Sequence, residues 1–140
     1  YFNVDIMDFD FNDNQFDIIA FKSVLGALKN EINIKNAIDG MHRILKPGGK
    51  LLVAENAEGS VIHSQFRFRY NKYSWRYLNI NELVKIFSPF NIIVSKQYGF
   101  FSAFGFNESI RKYLSYIDKL MNSIIPNRLK YIHFLVLQKD

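Results

Sequence analysis

Phe16 to Asn56 decides the fold: FDIIAFKSVLGAL over residues 16–28, an amphipathic run, then MHRILKPGGKLLVAEN over residues 41–56. Ile18, Ile19, Ala20 and Phe21 form a continuous apolar run rather than an alternation, which suits a central parallel strand covered on both faces. Ile34, Ala37, Ile38, Met41 and Leu45 recur at three- and four-residue spacing, which predicts a helix with one apolar face, ending at Lys46 and Pro47. Pro47-Gly48 then suits a type II turn, since Pro fixes φ and Gly takes a positive φ, and a strand is expected over Lys50 to Glu55. Strand, helix, tight turn and strand make up the repeating unit of an open parallel sheet.

Working outward, Phe2 to Ile6 reads as the tail of an earlier strand, followed by the acidic loop DFDFNDNQ, rich in turn formers. Downstream, Asn79 and Glu82 have capping-box spacing, and Ile80, Leu83, Val84 and Phe87 give the helix behind them a buried stripe that Pro89 closes. Asn91 to Tyr98 is strand-like, and residues 99–106 form an aromatic, glycine-punctuated loop. A long helix from Asn107 carries Ile110, Tyr113, Leu114, Ile117, Met121 and Ile124 on one face, with Pro126 beyond it. Tyr131 to Gln138 is the last strand. No repeat or flexible linker divides the chain, so residues 1–140 are expected to form a single domain.

The 140 residues are 49% hydrophobic and 16% aromatic, ample for a core. The absence of cysteine excludes a disulfide framework and a thiolate metal site, and no metal is expected. No apolar run of about 18 residues is present, so no membrane span is expected and the cytoplasm is the expected location. The chain opens at Tyr1 with no signal-peptide pattern, which suggests a portion of a longer protein. The net charge of +5 is uneven: Asp5, Asp8, Asp10, Asp13 and Asp17 punctuate the first 17 residues, which lack Lys and Arg. The basic remainder would suit an anionic partner, but no recognised nucleic-acid module accompanies it, and nucleic acid is not the expected partner.

Three landmarks stand in register with a known family. Val4-Asp5-Ile6 is followed at the right distance by Phe16-Asp17-Ile18-Ile19, and then by Arg43-Ile44-Leu45-Lys46-Pro47-Gly48-Gly49-Lys50-Leu51. This pattern resembles the class I S-adenosylmethionine-dependent methyltransferases, specifically the carboxyl-terminal part of their domain. The resemblance covers nearly the whole chain, with residues 62–78 and 100–126 as variable substrate or lid regions. It implies an α/β Rossmann-like sheet, mostly parallel with an antiparallel last strand, and S-adenosyl-L-methionine as cofactor. It further implies that Asp5 accepts a hydrogen bond from the adenine amino group, that the Ile6 N–H meets a ring nitrogen, and that Phe21, Lys22 and Ser23 line the methionine side. The family's strands bearing the G-x-G-x-G loop have no counterpart in this sequence, so weak cofactor binding is expected of these residues alone.

For the chemistry, His63 is the candidate base, a few residues past the strand ending at Glu55. Glu55 and Asn56, at a strand end on the ligand side, are expected to face acceptor or cofactor. In IHSQFRFRYNKYSWRY, residues 62–77, Arg67 and Arg76 suit a carboxylate or phosphate while Trp75 suits a planar ring. A packed helix built on Ile62, Phe66, Tyr70, Tyr73 and Tyr77 explains the same segment. Phe100, Phe101, Phe104 and Phe106 read either as a lid or as core. The function expected is methyl transfer to a small-molecule acceptor; a non-catalytic Rossmann-like binding module and a nucleotide-dependent oxidoreductase are the alternatives. A sheet lacking its two further strands is expected to leave an apolar edge and face open.

Overall fold

The structure, a computed structural model, describes residues 5–70 and 75–140. The strand expected over Phe2 to Ile6 falls largely outside them, as do Lys72 and Tyr73.

Four strands form one sheet: β1 (Phe16–Lys22), β2 (Leu45–Asn56), β3 (Asn91–Tyr98) and β4 (Ile132–Gln138), in the order β1-β2-β4-β3. β1 and β2 are parallel, and β4 runs antiparallel to both β2 and β3. Three strands therefore share a direction and only the last opposes them, as the family resemblance implied. Between β1 and β2 lies α1 (Glu31–Ile44), begun by Asn30, whose side chain accepts the Asn33 N–H. α2 (Val61–Tyr70) and α3 (Ile80–Ile86) precede β3, and α4 (Glu108–Met121) precedes β4. The Asn79–Glu82 capping box forms in both directions at the start of α3.

One face of the sheet is the core. Alternate residues Leu51 and Val53 of β2 and Leu135 and Leu137 of β4 meet Ile34, Ala37, Ile38 and Met41 of α1 and Leu83 of α3. The periodicity of α1 read from sequence is thus its buried stripe. The other face carries Ile18, Ala20, Leu52 and Val136, and Ile18 is 59% exposed.

Three expectations are corrected. β2 begins at Leu45, not Lys50, because Leu45 already pairs with Phe16 before the chain swings out and rejoins at Ile18–Lys50. Gly48 sits at φ +76°, as the turn requires, and its N–H donates to the Lys139 carbonyl at 2.9 Å. In α2 the inward residue is His63, while Ile62 faces out, so the helix is turned about one residue from the apolar spacing. In α4 the buried residue is Asp118, with Ile110 and Tyr113 exposed, and Ile124, past the helix end, is exposed too. Leu114, Ile117 and Met121 of the expected stripe are half-buried, and the helix is fastened beside them by a buried carboxylate.

The acidic loop is held locally. Arg43 of α1 donates to the Phe9 and Phe11 carbonyls at 2.7 and 2.8 Å and to Asp13 at 2.6 Å, and Lys46 bonds both oxygens of Asp17 at 2.8 Å.

Candidate functional site

The carboxyl ends of β1 and β2 open into a cavity of about 630 Å³. Its floor is Lys22, Ser23 and Asn56; α2 contributes Phe66 and Arg67. Ser102, Phe106 and Arg111 come from the segment around the start of α4, and Tyr77 and Tyr131 complete the wall. Ligands of open α/β sheets bind outside the carboxyl ends of their strands, so this is the expected place.

Ser23 carries the local strain. Its φ is +53°, left-handed backbone that a side chain disfavours, yet its N–H donates to the Ala54 carbonyl at 2.9 Å and its Oγ accepts from Asn56 Nδ2 at 2.9 Å. Two neighbouring strand ends are therefore latched together at the cavity floor.

Glu55, facing the opposite side of β2, is only 1% exposed. Its Oε2 accepts the Val24 and Leu25 N–H groups at 3.0 and 3.2 Å, fixing the turn that follows β1, and Oε1 is buried without a partner. Burial pushes its carboxyl above the ordinary range, and the backbone N–H groups pull it partly back. Glu55 thus shapes the cavity's rim from behind instead of facing into it.

His63 is likewise 1% exposed and both ring nitrogens are engaged. Nδ1 accepts the Ser60 N–H at 3.0 Å, while Nε2 donates to the Phe100 carbonyl at 2.9 Å. The ring stacks on Phe104 at 4.9 Å and meets Phe100 edge-on. It behaves as a capping residue at the start of α2, in the place a Glu takes in a capping box. Burial lowers its pKa, so it is neutral, and no free nitrogen reaches the cavity.

The remaining sequence candidates separate. Lys22, Ser23, Asn56 and Arg67 converge on the cavity. Phe21 packs against the core with Ile19 and Ile6. Asp5 lies in an exposed turn where its Oδ1 accepts the Met7 N–H at 2.9 Å. Arg76 bridges Glu31 and Glu82, and Trp75 presses on Gly26, where any Cβ would come within 2.1 Å of its indole nitrogen. Neither Trp75 nor Arg76 lines the cavity. Phe106 does, whereas Phe100 and Phe104 pack on His63.

Tyr77, one of the aromatics of residues 62–77 that suit a planar ring, is on the cavity wall, whereas sequence reasoning missed Ser102, Arg111, Asp118 and Tyr131. Asp118 accepts the N–H groups of Phe100, Phe101 and Ser102 at 2.7–3.0 Å, and the Ser102 hydroxyl also donates to it. Tyr131 is 2.9 Å from Ser102 Oγ and, with that oxygen's hydrogen already used, is the donor. Burial raises the Tyr131 pKa, so the phenol stays protonated. The only signal in the sequence was an Asp at position 118 beside an otherwise apolar helical stripe, Leu114, Ile117 and Met121. Among the described residues no group of His, Cys, Asp and Glu could hold a metal ion, and no helix is long and apolar enough to cross a membrane.

Residues 1–53 match the family model described as a methyltransferase domain. A ubiquinone/menaquinone biosynthesis C-methyltransferase UbiE of Shewanella pealeana is 44% identical over 68 residues, which is 49% of this chain and 25% of that protein. The UbiE of Shewanella sp. strain W3-18-1 is 40% identical over 75 residues, 53% of this chain and 28% of that protein. The chain thus spans about a quarter of the length of these curated relatives. Among solved structures, a Methanosarcina mazei S-adenosylmethionine-dependent methyltransferase superposes with TM-score 0.66 at 16% identity, covering 97% of this chain and 65% of its own. A Thermotoga maritima methyltransferase, described as a possible histamine N-methyltransferase, gives 0.65 at 15% identity, covering 96% and 61%. The fold is shared with both.

Proposed function

We propose that this chain's protein is a class I S-adenosylmethionine-dependent methyltransferase that transfers the cofactor's methyl group to a small-molecule acceptor held in the cavity at the ends of β1 and β2; the match of residues 1–53 to a methyltransferase-domain model and the shared fold support the reading. The observation that carries this reading is the coincidence of that cavity, floored by Lys22, Ser23 and Asn56, with the strand ends where the fold takes ligands.

The residues present fit part of the cofactor. Ser23, with its hydroxyl hydrogen uncommitted to Asn56, serves the methionine side, and Asp5 and the Ile6 N–H serve adenine. Among the described residues no carboxylate lines the cavity for the ribose hydroxyls. S-adenosylmethionine supplies a methyl group on a sulfonium centre, open to in-line attack. The chain's part is to align the acceptor and exclude water. Phe66, Tyr77, Phe106 and Tyr131 offer flat walls, which suit a ring such as the names of the ubiquinone and menaquinone relatives suggest. With His63 buried away from the cavity, the proton of a hydroxyl acceptor has another route: Tyr131 Oη takes it while giving its own proton to Ser102 Oγ, and Ser102 gives its hydroxyl proton to the Asp118 carboxylate.

Calorimetry of S-adenosylhomocysteine on the full-length gene product tests the reading. Binding is expected, weakened about tenfold in Asp5→Ala by loss of a charge-assisted hydrogen bond and unchanged in Asp13→Ala, whose partner is Arg43. Equal affinity in both variants removes the adenine role of Asp5, and no binding at all removes the proposed activity.

A further inference from the structure

The cavity's charge is one-sided. Among the described residues Lys22, Arg67 and Arg111 line it and no Asp or Glu does. The two arginines are fixed by main-chain oxygens: Arg67 Nη1 donates to the Ala57 and Glu58 carbonyls at 2.9 and 2.8 Å, and Arg111 Nε donates to the Gly105 carbonyl at 3.1 Å. Neither forms an ion pair among the described residues, where the paired basic side chains are Lys35, Arg43, Lys46 and Arg76.

Two acids act on these groups from outside the cavity. Glu58, whose charge is felt by Arg67, lines a separate cavity of about 250 Å³ that includes His133. Asp118 is saturated by three backbone N–H groups and Ser102. Half-buried Arg67 and more exposed Arg111 are each held by main-chain oxygens on a cavity that no carboxylate lines among the described residues, and their forks suit the oxygens of an anion in a plane. Around them stand aromatic walls: the Arg67 guanidinium lies 3.8 Å from the centre of the Tyr77 ring, with Phe66, Phe106 and Tyr131 beside it. A ring between these walls with its acidic group toward the guanidiniums satisfies both features.

We propose that the acceptor is an aromatic acid, a planar ring bearing a carboxylate or phosphate that Arg67 and Arg111 bind. The inference rests on the methyl-transfer reading only for the word acceptor; the anion site stands on the cavity itself.

The test is calorimetry of the full-length gene product, without cofactor, against benzoate, phenyl phosphate and benzyl alcohol. Benzoate or phenyl phosphate is expected to bind at least about tenfold more tightly than benzyl alcohol, and the better of the two identifies the acidic group. Arg111→Gln is expected to weaken the anions about tenfold and leave benzyl alcohol unchanged, while Lys112→Gln, one residue along the same helix and off the cavity, changes neither. Equal affinity for the neutral and anionic rings overturns the proposal, as does undiminished anion binding in Arg111→Gln. The wild-type comparison decides even if a variant fails to fold. Anion binding without any binding of S-adenosylhomocysteine would sink the methyl-transfer reading and leave the anion site standing.

Discussion

Glu55 and His63 share a lesson at the scale of single residues: each is a titratable group near a ligand-binding strand end, and each is turned inward to hold backbone. Removing the Glu55 carboxylate strands two buried N–H groups, so Glu55→Ala is expected to cost about 2 kcal/mol in urea unfolding. A change within the noise of the measurement would show that the turn after β1 holds without it. For His63 the sign follows from a lowered folded pKa: below about pH 6.5 the unfolded chain takes up a proton that the folded one resists, so stability is full above that value and falls as pH drops. Glu55, raised, works in the opposite direction above about pH 4.5, so the His63 contribution is isolated by difference. Between pH 7.5 and 5.5 the urea midpoint of the wild type is expected to fall further than that of His63→Gln, and parallel curves would refute the assignment. Neither role was legible in the sequence, because a Glu at a strand end and a His after it look the same whether they face ligand or backbone. The direction is set by strand pleat and helix rotation, which depend on what the neighbouring elements cover.

At the scale of elements, local signals performed well where partners are close in sequence. Asn79 and Glu82 lie three residues apart and need nothing distant to meet, and the box forms as read. Asn79→Ala is expected to cost about 1 kcal/mol, measured by thermal or urea unfolding, with no effect on ligand affinity. α4 shows the opposite case. Its apolar stripe is strong in sequence, yet the helix is tied to the loop before it by Asp118, whose partners Phe100, Phe101 and Ser102 lie 16–18 residues away. Asp118→Ala is therefore expected to speed amide hydrogen exchange at these three positions by tenfold or more while core strands β2 and β4 stay protected. Uniform exchange across the chain would mean that the carboxylate holds the fold as a whole and not this loop.

At the scale of the whole molecule, the two faces of the sheet differ among the described residues: one packs on α1 and α3, the other is half-buried at Leu52 and Val136 and open at Ile18. Ile18, at 59% exposure, lies with Ala20, Leu52 and Val136 on the face opposite α1 and α3, and among the described residues β1 is an edge strand. An open apolar face beside an open edge favours pairing with another chain. The 140-residue chain is expected to associate with rising concentration in sedimentation velocity, and Ile18→Lys to reduce that association. A species that stays monomeric over a hundredfold range of concentration would contradict this.

The sequence by itself determined the parallel βαβ unit, the bend at Gly48 and the stripe of α1, because continuous apolar runs, helical spacing and turn chemistry act over a few residues. It also placed Lys22, Ser23 and Asn56 at strand ends, which topology turns into a cavity floor. Only the tertiary structure decided which arginines meet: Arg67 and Arg111 are 44 positions apart and converge, while Arg76, the nearer neighbour in sequence, is drawn to Glu31 and Glu82. Charge and aromatic content are written in composition, but convergence is a property of which surfaces the core leaves free.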